Sequence, residues 1–213
     1  MRFDAAIFDL DGLLLDTERI AIAAGYRALA DLGLPKTDGL FESLTGKDTA
    51  TCGRALLAHF GPGFAIERFG AHWDGLFFEA LEEGIPLRPG ATDLLDRLEA
   101  MGLPRAVATS SQRASAKRKL SKTGLQRYFG AVVTVNCVAR PKPAPDPYLL
   151  AAARLGQRPE RCIAFEDSDT GAAAAQAAGM VVVQVPDMQA TDGRHAHHLA
   201  ESLLDGARAA GLI

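Results

Sequence analysis

The chain carries two interleaved hydrophobic rhythms. Short apolar runs recur at Ala5 to Phe8, Arg105 to Thr109, Ala131 to Val135, Cys162 to Phe165 and Val181 to Val185. Each is too brief for a helix and too uniformly apolar for a strand with one wet face, so they are predicted as strands buried on both sides, the habit of parallel sheets. Between them apolar residues return at helical spacing. Leu94, Leu95, Leu98 and Met101 share one face of a helix predicted over 91–101 and ended by Gly102; an alanine-rich helix predicted over 170–178 ends at Gly179 in the same way.

Residues 16–85 break this alternation. Tyr26, Leu29 and Leu32 keep helical spacing as far as Gly33-Leu34-Pro35, and Ala55 to Phe60 and Phe69 to Leu81 predict further helices, with no convincing strand among them. The expected organisation is an α/β core, a Rossmann-like doubly wound parallel sheet, built from 1–15 and 86–213 and interrupted by an α-helical cap over 16–85. The chain re-enters the core through Gly84-Ile85-Pro86-Leu87-Arg88-Pro89-Gly90, a run of helix breakers that reads as a hinge.

Composition narrows the picture. A length of 213 residues suits one core with a smaller accessory unit, and 48% hydrophobic with 23% charged residues is the balance of a soluble globular enzyme. A net charge of -3 offers no general attraction for nucleic acid or an anionic membrane, so neither is expected as a partner. No apolar stretch reaches membrane-spanning length, and Met1-Arg2-Phe3-Asp4 does not open a signal peptide; a cytoplasmic monomer is the expectation. Cys52, Cys137 and Cys162 are odd in number and far apart, suggesting neither a disulfide framework nor a zinc site. Arg113, Lys117, Arg118, Lys119 and Lys122 read as the solvated face of one helix, His195, His197 and His198 as surface residues near the start of the last helix, and His72-Trp73 as packing within the cap.

Chemistry gathers where strands end. Asp9 and Asp11, in Phe8-Asp9-Leu10-Asp11-Gly12, follow the first strand, and ligands of a parallel sheet collect beyond its C-terminal strand ends. Gly12 lets the backbone turn there, so both carboxyl groups can address one centre, and two acids so close call for a divalent cation such as magnesium. Glu166-Asp167-Ser168 follows another predicted strand in the same way; Asp9, Asp167 and a backbone carbonyl would suffice for magnesium, with Glu166 binding directly or through a water, while Asp167-Ser168-Asp169 also fits a helix cap. Thr109-Ser110-Ser111, at the mouth of a helix, offers hydroxyl and N–H donors to a phosphate, or taken alone an ordinary N-cap. In Arg140-Pro141-Lys142-Pro143-Ala144-Pro145-Asp146-Pro147 four prolines in seven positions stiffen a loop; a held Lys142 ammonium would neutralise phosphoryl charge, while taken alone it reads as a solvated lysine in a rigid turn.

The succession D-L-D-G, T-S-S, K-P-A-P-D-P and E-D-S, each in this strand context, resembles the haloacid dehalogenase superfamily, in its phosphatase and phosphoglucomutase-like branch with a helical cap, and the resemblance covers nearly the whole chain. It implies a magnesium-dependent phosphatase acting on a small phosphorylated metabolite such as a sugar phosphate or phosphoglycolate. Asp9 would attack phosphorus and become an aspartyl phosphate. Asp11 would protonate the leaving oxygen, deprotonate the attacking water, and offer its carbonyl to the metal. Thr109, Ser110 and Lys142 would hold phosphoryl oxygens; Glu166 and Asp167 would anchor Mg2+. Gly46 and Lys47, in a cap loop where relatives insert specificity residues, are candidate substrate contacts. Ala21 and Thr49 stand where the mutases carry a histidine and a phosphate-gripping arginine, which favours hydrolysis over the alternative of a phosphosugar mutase; a non-catalytic binding or regulatory member is the other alternative.

Overall fold

Six parallel strands form one sheet in the computed structural model, which describes residues 2–45, 49–188 and 190–213. Along the chain run β1 (Ala5–Phe8), α1 (Thr17–Asp31), α2 (Thr49–Phe60), α3 (Ile66–Glu83), α4 (Ala91–Ala100), β2 (Arg105–Ala108), α5 (Arg113–Lys122), β3 (Ala131–Val133), α6 (Asp146–Arg154), β4 (Cys162–Glu166), α7 (Asp169–Ala177), β5 (Val181–Gln184), β6 (His198–Leu199) and α8 (Leu203–Ala209). They divide into two compact units, Met1–Asp16 with Pro86–Ile213, and Thr17–Ile85.

In the α/β unit the strand order is β3-β2-β1-β4-β5-β6. The chain winds outward from β1 through β2 to β3, then returns to β4 on the other side of β1, so the winding reverses between β1 and β4. Ile7 lies opposite Ala106 on one side and Ala164 on the other. Because side chains alternate faces along a strand, Ala5 and Ile7 go to one side of the sheet, where they join Ala151 and Ala152 of α6 and Ala172, Ala174 and Ala175 of α7 in one buried cluster. Alanine suits a helix laid close on a sheet, since it keeps helix propensity while adding little bulk. Phe8, next along β1, faces the other way and stacks on its neighbour Phe165 with ring centroids 4.9 Å apart.

The predicted strands β2 and β3 overran. Thr109 lies just past β2, although its N–H still bonds to the Val133 carbonyl at 2.9 Å. β3 stops at Val133, where the chain enters the short helical turn Val135–Cys137, whose Cys137 N–H bonds to the Thr134 carbonyl at 2.8 Å. The edge strand β6 was missed, being only two residues long, and it takes in one of the histidines. The last helix begins at Leu203, capped by Ser202, whereas His198 is in β6; His197 donates its N–H to Val182 O and accepts the Val182 N–H on Nδ1. His197 and His198 thus lie at the sheet edge a few residues ahead of that helix, while His195 Nδ1 meets Gln176 Oε1 at 2.9 Å.

The helical unit shows no strand among its described residues. Its core is aromatic: buried Phe41 meets Tyr26 edge-on at 4.9 Å, Trp73 at 4.9 Å and Phe69 at 6.2 Å. Trp73 Nε1 donates to the Ala21 carbonyl at 2.7 Å, which satisfies its polar edge inside an apolar cluster. Gly25 makes the approach of α1 possible, because a Cβ there would stand 2.7 Å from the Phe41 ring.

Candidate active site

Asp9 continues the sheet beyond β1, its N–H bonding to Phe165 O at 3.0 Å. Its carboxylate is thereby delivered to the point where the winding reverses, beside the end of β4. Gly12, at φ 85°, adopts the left-handed turn that folds the following backbone back, with its N–H on Leu15 O at 2.8 Å. Ligand atoms of Asp9, Glu166 and Asp167 all lie within 4.8 Å of one another. Three carboxylates at that spacing repel strongly unless cations intervene.

One cation is built in. Lys142 Nζ lies 2.5 Å from Asp9 Oδ1 and 2.5 Å from Glu166 Oε1, with 4% of its side chain exposed and none of Glu166's. It also sits 5.1 Å from the centroid of the Tyr148 ring. The Lys142-Pro143 peptide is cis. Burial pushes the Asp9 carboxyl upward, Lys142 pulls it back and Glu166 raises it again, leaving it at about 7. Burial alone would lower the Lys142 ammonium, but Asp9 and Glu166 more than reverse this, so it stays protonated.

Glu166 is anchored from several sides. Besides Lys142, the Tyr148 hydroxyl donates to Oε1, and the Ser168 hydroxyl donates to Oε2 at 3.2 Å. Burial, then Glu166, holds the Tyr148 phenol well above its ordinary range, so it remains a donor. Ser168 also caps α7 by accepting the Gly171 N–H at 3.2 Å. The cap expected of Asp167-Ser168-Asp169 is thus made by Ser168. Gly171 is required by contact rather than by dihedral angle: a Cβ there would fall 1.9 Å from Glu166 Oε1.

Asp11 is held by a second group. Its Oδ2 accepts from the Ser111 hydroxyl at 2.7 Å, its Oδ1 from Lys119 Nζ at 2.6 Å, and Lys119 Nζ is 3.1 Å from Ser111 Oγ. Lys119 was expected on a solvated face, and that reading is corrected: Arg113, Lys117, Arg118 and Lys122 are exposed, but Lys119 is buried, in line with Ala116 and Leu120 on the inner side of α5. Spacing of i, i+3 and i+4 with Ala116 and Leu120 was the available signal. Tyr148 was also overlooked; it shares a face of α6 with Ala151 and Ala152.

Thr109 is buried and its Oγ1 accepts the Ser111 N–H at 3.0 Å, tightening the turn into α5, while Ser110 is exposed. Gly46 and Lys47 lie outside the described residues. The structure therefore brings Asp9, Lys142, Glu166 and Asp167 to one centre, and Asp11 with Ser111 to an adjoining one.

Comparison with known proteins gives the same direction. The model for haloacid dehalogenase-like hydrolases matches residues 3–179. The chain is 35% identical to fructose-1-phosphate phosphatase YqaB of Escherichia coli over 86% of this chain and 97% of that one. It is 32% identical to a phosphorylated carbohydrates phosphatase of Thermotoga maritima, over 83% and 82% respectively. Among solved structures, a hydrolase of this family from Deinococcus radiodurans R1, crystallised with bound phosphate and sodium, superposes with a TM-score of 0.81 at 31% identity, covering 100% of this chain and 98% of that one.

Proposed function

The chain belongs to the haloacid dehalogenase-like hydrolases, and from that membership we propose that it is a magnesium-dependent phosphatase that hydrolyses a small phosphorylated metabolite, of the sugar phosphate kind, through a phosphoaspartate on Asp9. The observation that carries this reading is the bridging of Asp9 and Glu166 by one buried ammonium, with Asp167 beside them. A carboxylate becomes a useful nucleophile towards phosphorus when its charge is retained in a dry site, and Lys142 favours the charged form.

The donor set suits a hard cation. Asp9, Asp167 and the main-chain carbonyl of Asp11 would hold Mg2+, with Glu166 adding its charge directly or through a water; all are oxygen donors, and the carboxylates converge within 4.8 Å. Bound there, the metal would supply electrostatic stabilisation of the phosphoryl oxygens. The remaining work falls to the chain. Asp9 attacks phosphorus as the leaving oxygen departs; Asp11 gives that oxygen its proton, then takes one from the water that attacks the phosphoaspartate, freeing phosphate and restoring both groups. Lys142, the Thr109 hydroxyl and the Ser110 N–H meet charge spread over the transferring oxygens. Substrate contacts from Gly46 and Lys47 remain part of the proposal.

The test is turnover of p-nitrophenyl phosphate and fructose 1-phosphate with and without Mg2+, alongside Asp9→Asn. Release of phosphate that needs Mg2+ and Asp9, with a hydroxylamine-labile phosphoryl group trapped on Asp9, is expected. Metal-independent turnover, or activity surviving in Asp9→Asn, refutes the reading. Conversion of β-glucose 1-phosphate to glucose 6-phosphate without phosphate release, followed by NMR with a bisphosphate primer, would establish a mutase instead.

A further inference from the structure

We infer that Lys119 is a positioning residue that, with Ser111, aims the Asp11 carboxyl group at the leaving oxygen. The inference rests on the reading of Asp11 as the proton-transfer group. Its independent ground is geometric. A lysine from the last turn of α5 leaves the exposed basic face of its helix and is buried, with 5% of its side chain exposed, to place Nζ 2.6 Å from Asp11 Oδ1. Burying an ammonium group is costly unless it is paired, and Asp11 provides the pairing. Ser111 engages the other carboxylate oxygen at 2.7 Å, and Lys119 reaches Ser111 as well at 3.1 Å, closing a triangle. Rotation of the Asp11 carboxylate about its side-chain bonds breaks contacts at both oxygens. Lys119 is therefore to Asp11 what Lys142 is to Asp9, except that it acts on orientation and does not touch the phosphoryl group.

A positioning role has a signature that loss of packing lacks. An alkoxide leaving group needs the proton from Asp11, whereas p-nitrophenolate is stable enough to depart without one. The value of kcat/KM reports events through the first irreversible step, here formation of the phosphoaspartate. The ratio of kcat/KM for fructose 1-phosphate to that for p-nitrophenyl phosphate thus reads proton delivery alone.

In the Mg2+-loaded full chain, Lys119→Met should lower this ratio by about tenfold or more, a part of the roughly 10²- to 10⁴-fold that positioned proton transfer contributes. Asp11→Asn should lower it further, and Asp11→Asn combined with Lys119→Met should lie no lower than Asp11→Asn alone. Lys119→Arg, which keeps the charge, should recover part of the ratio. Should Lys119→Met fail to fold, Ser111→Ala removes a bond to the same carboxylate and should shift the same ratio in the same direction by a smaller factor. An equal fall on both esters, or a loss that multiplies with Asp11→Asn, overturns the inference. A ratio unmoved by Asp11→Asn itself overturns instead the assignment of Asp11.

Discussion

The two units of this chain solve the packing problem with opposite materials. In Thr17–Ile85 rings pack on rings: Tyr26, Phe41, Phe69 and Trp73 fill the space between three helices, and the ion pairs, such as Arg27 with Glu79, stay at the surface. On one face of the α/β sheet strands and helices meet through alanine and valine, and the buried charged side chains of the site, Asp9, Lys119, Lys142 and Glu166, belong to this unit. Large side chains stabilise a small bundle by area buried, whereas small ones bring backbones close enough for strand ends to deliver charges to one point. A glycine marks each strategy: Gly25 gives room to the Phe41 ring, Gly171 to the Glu166 carboxylate.

That contrast predicts how each unit fails. Lys142→Met should have the largest effect, because it strands Asp9 and Glu166 as buried unpaired acids; the chain should lose about 3–5 kcal/mol of stability by denaturant unfolding and roughly 10³-fold in kcat. Full activity in a well-folded Lys142→Met would erase the distinction drawn for the α/β unit. Gly171→Ala comes next. It must displace Glu166 or α7, and a misplacement of that order should cost about 10- to 100-fold in kcat.

Gly25→Ala is the matching change in the helical unit. Overpacking against Phe41 should cost about 1–3 kcal/mol, read as faster amide exchange in α1 and α3 with exchange in β1 and β4 unchanged. Equal loss of protection in both units would show that they do not respond separately. The smallest signal is a proton. With the Asp9 carboxyl at about 7, about half the metal-free molecules carry that proton at pH 7, and a metal that needs the carboxylate should release about half a proton on binding. Because the value is raised, release should grow towards pH 6 and vanish by pH 9, which calorimetry in buffers of different ionisation enthalpy measures. Arg27→Ala, at a surface pair more than half exposed on both sides, should leave the melting temperature unchanged.

The legibility of the site follows the same divide. Asp9, Glu166 and Asp167 could be gathered from sequence because each follows an apolar run, and parallel strands bring their C-terminal ends to one edge. Lys142 stood out through its prolines. Lys119 did not: between Glu99 and Asp146 the chain has no acid at all, so one lysine among the bases gives no hint of a partner 108 residues away. Tyr148 was hidden for a related reason, since its partner Glu166 is on another element and an aromatic residue on an alanine-rich face reads as packing. β6 escaped because two residues cannot display a period.

Local periodicity, the residues that end helices and the acids placed after strands determined the alternation of elements, the sheet class and the edge at which chemistry gathers. These are decided within a few residues, by backbone sterics and by burial. Which lysine turns inward, which oxygen it meets and why Gly171 must lack a side chain were decided only when strands and helices far apart in the chain packed together. Coulombic attraction and steric exclusion act over a few ångströms of space, and sequence distance does not measure them.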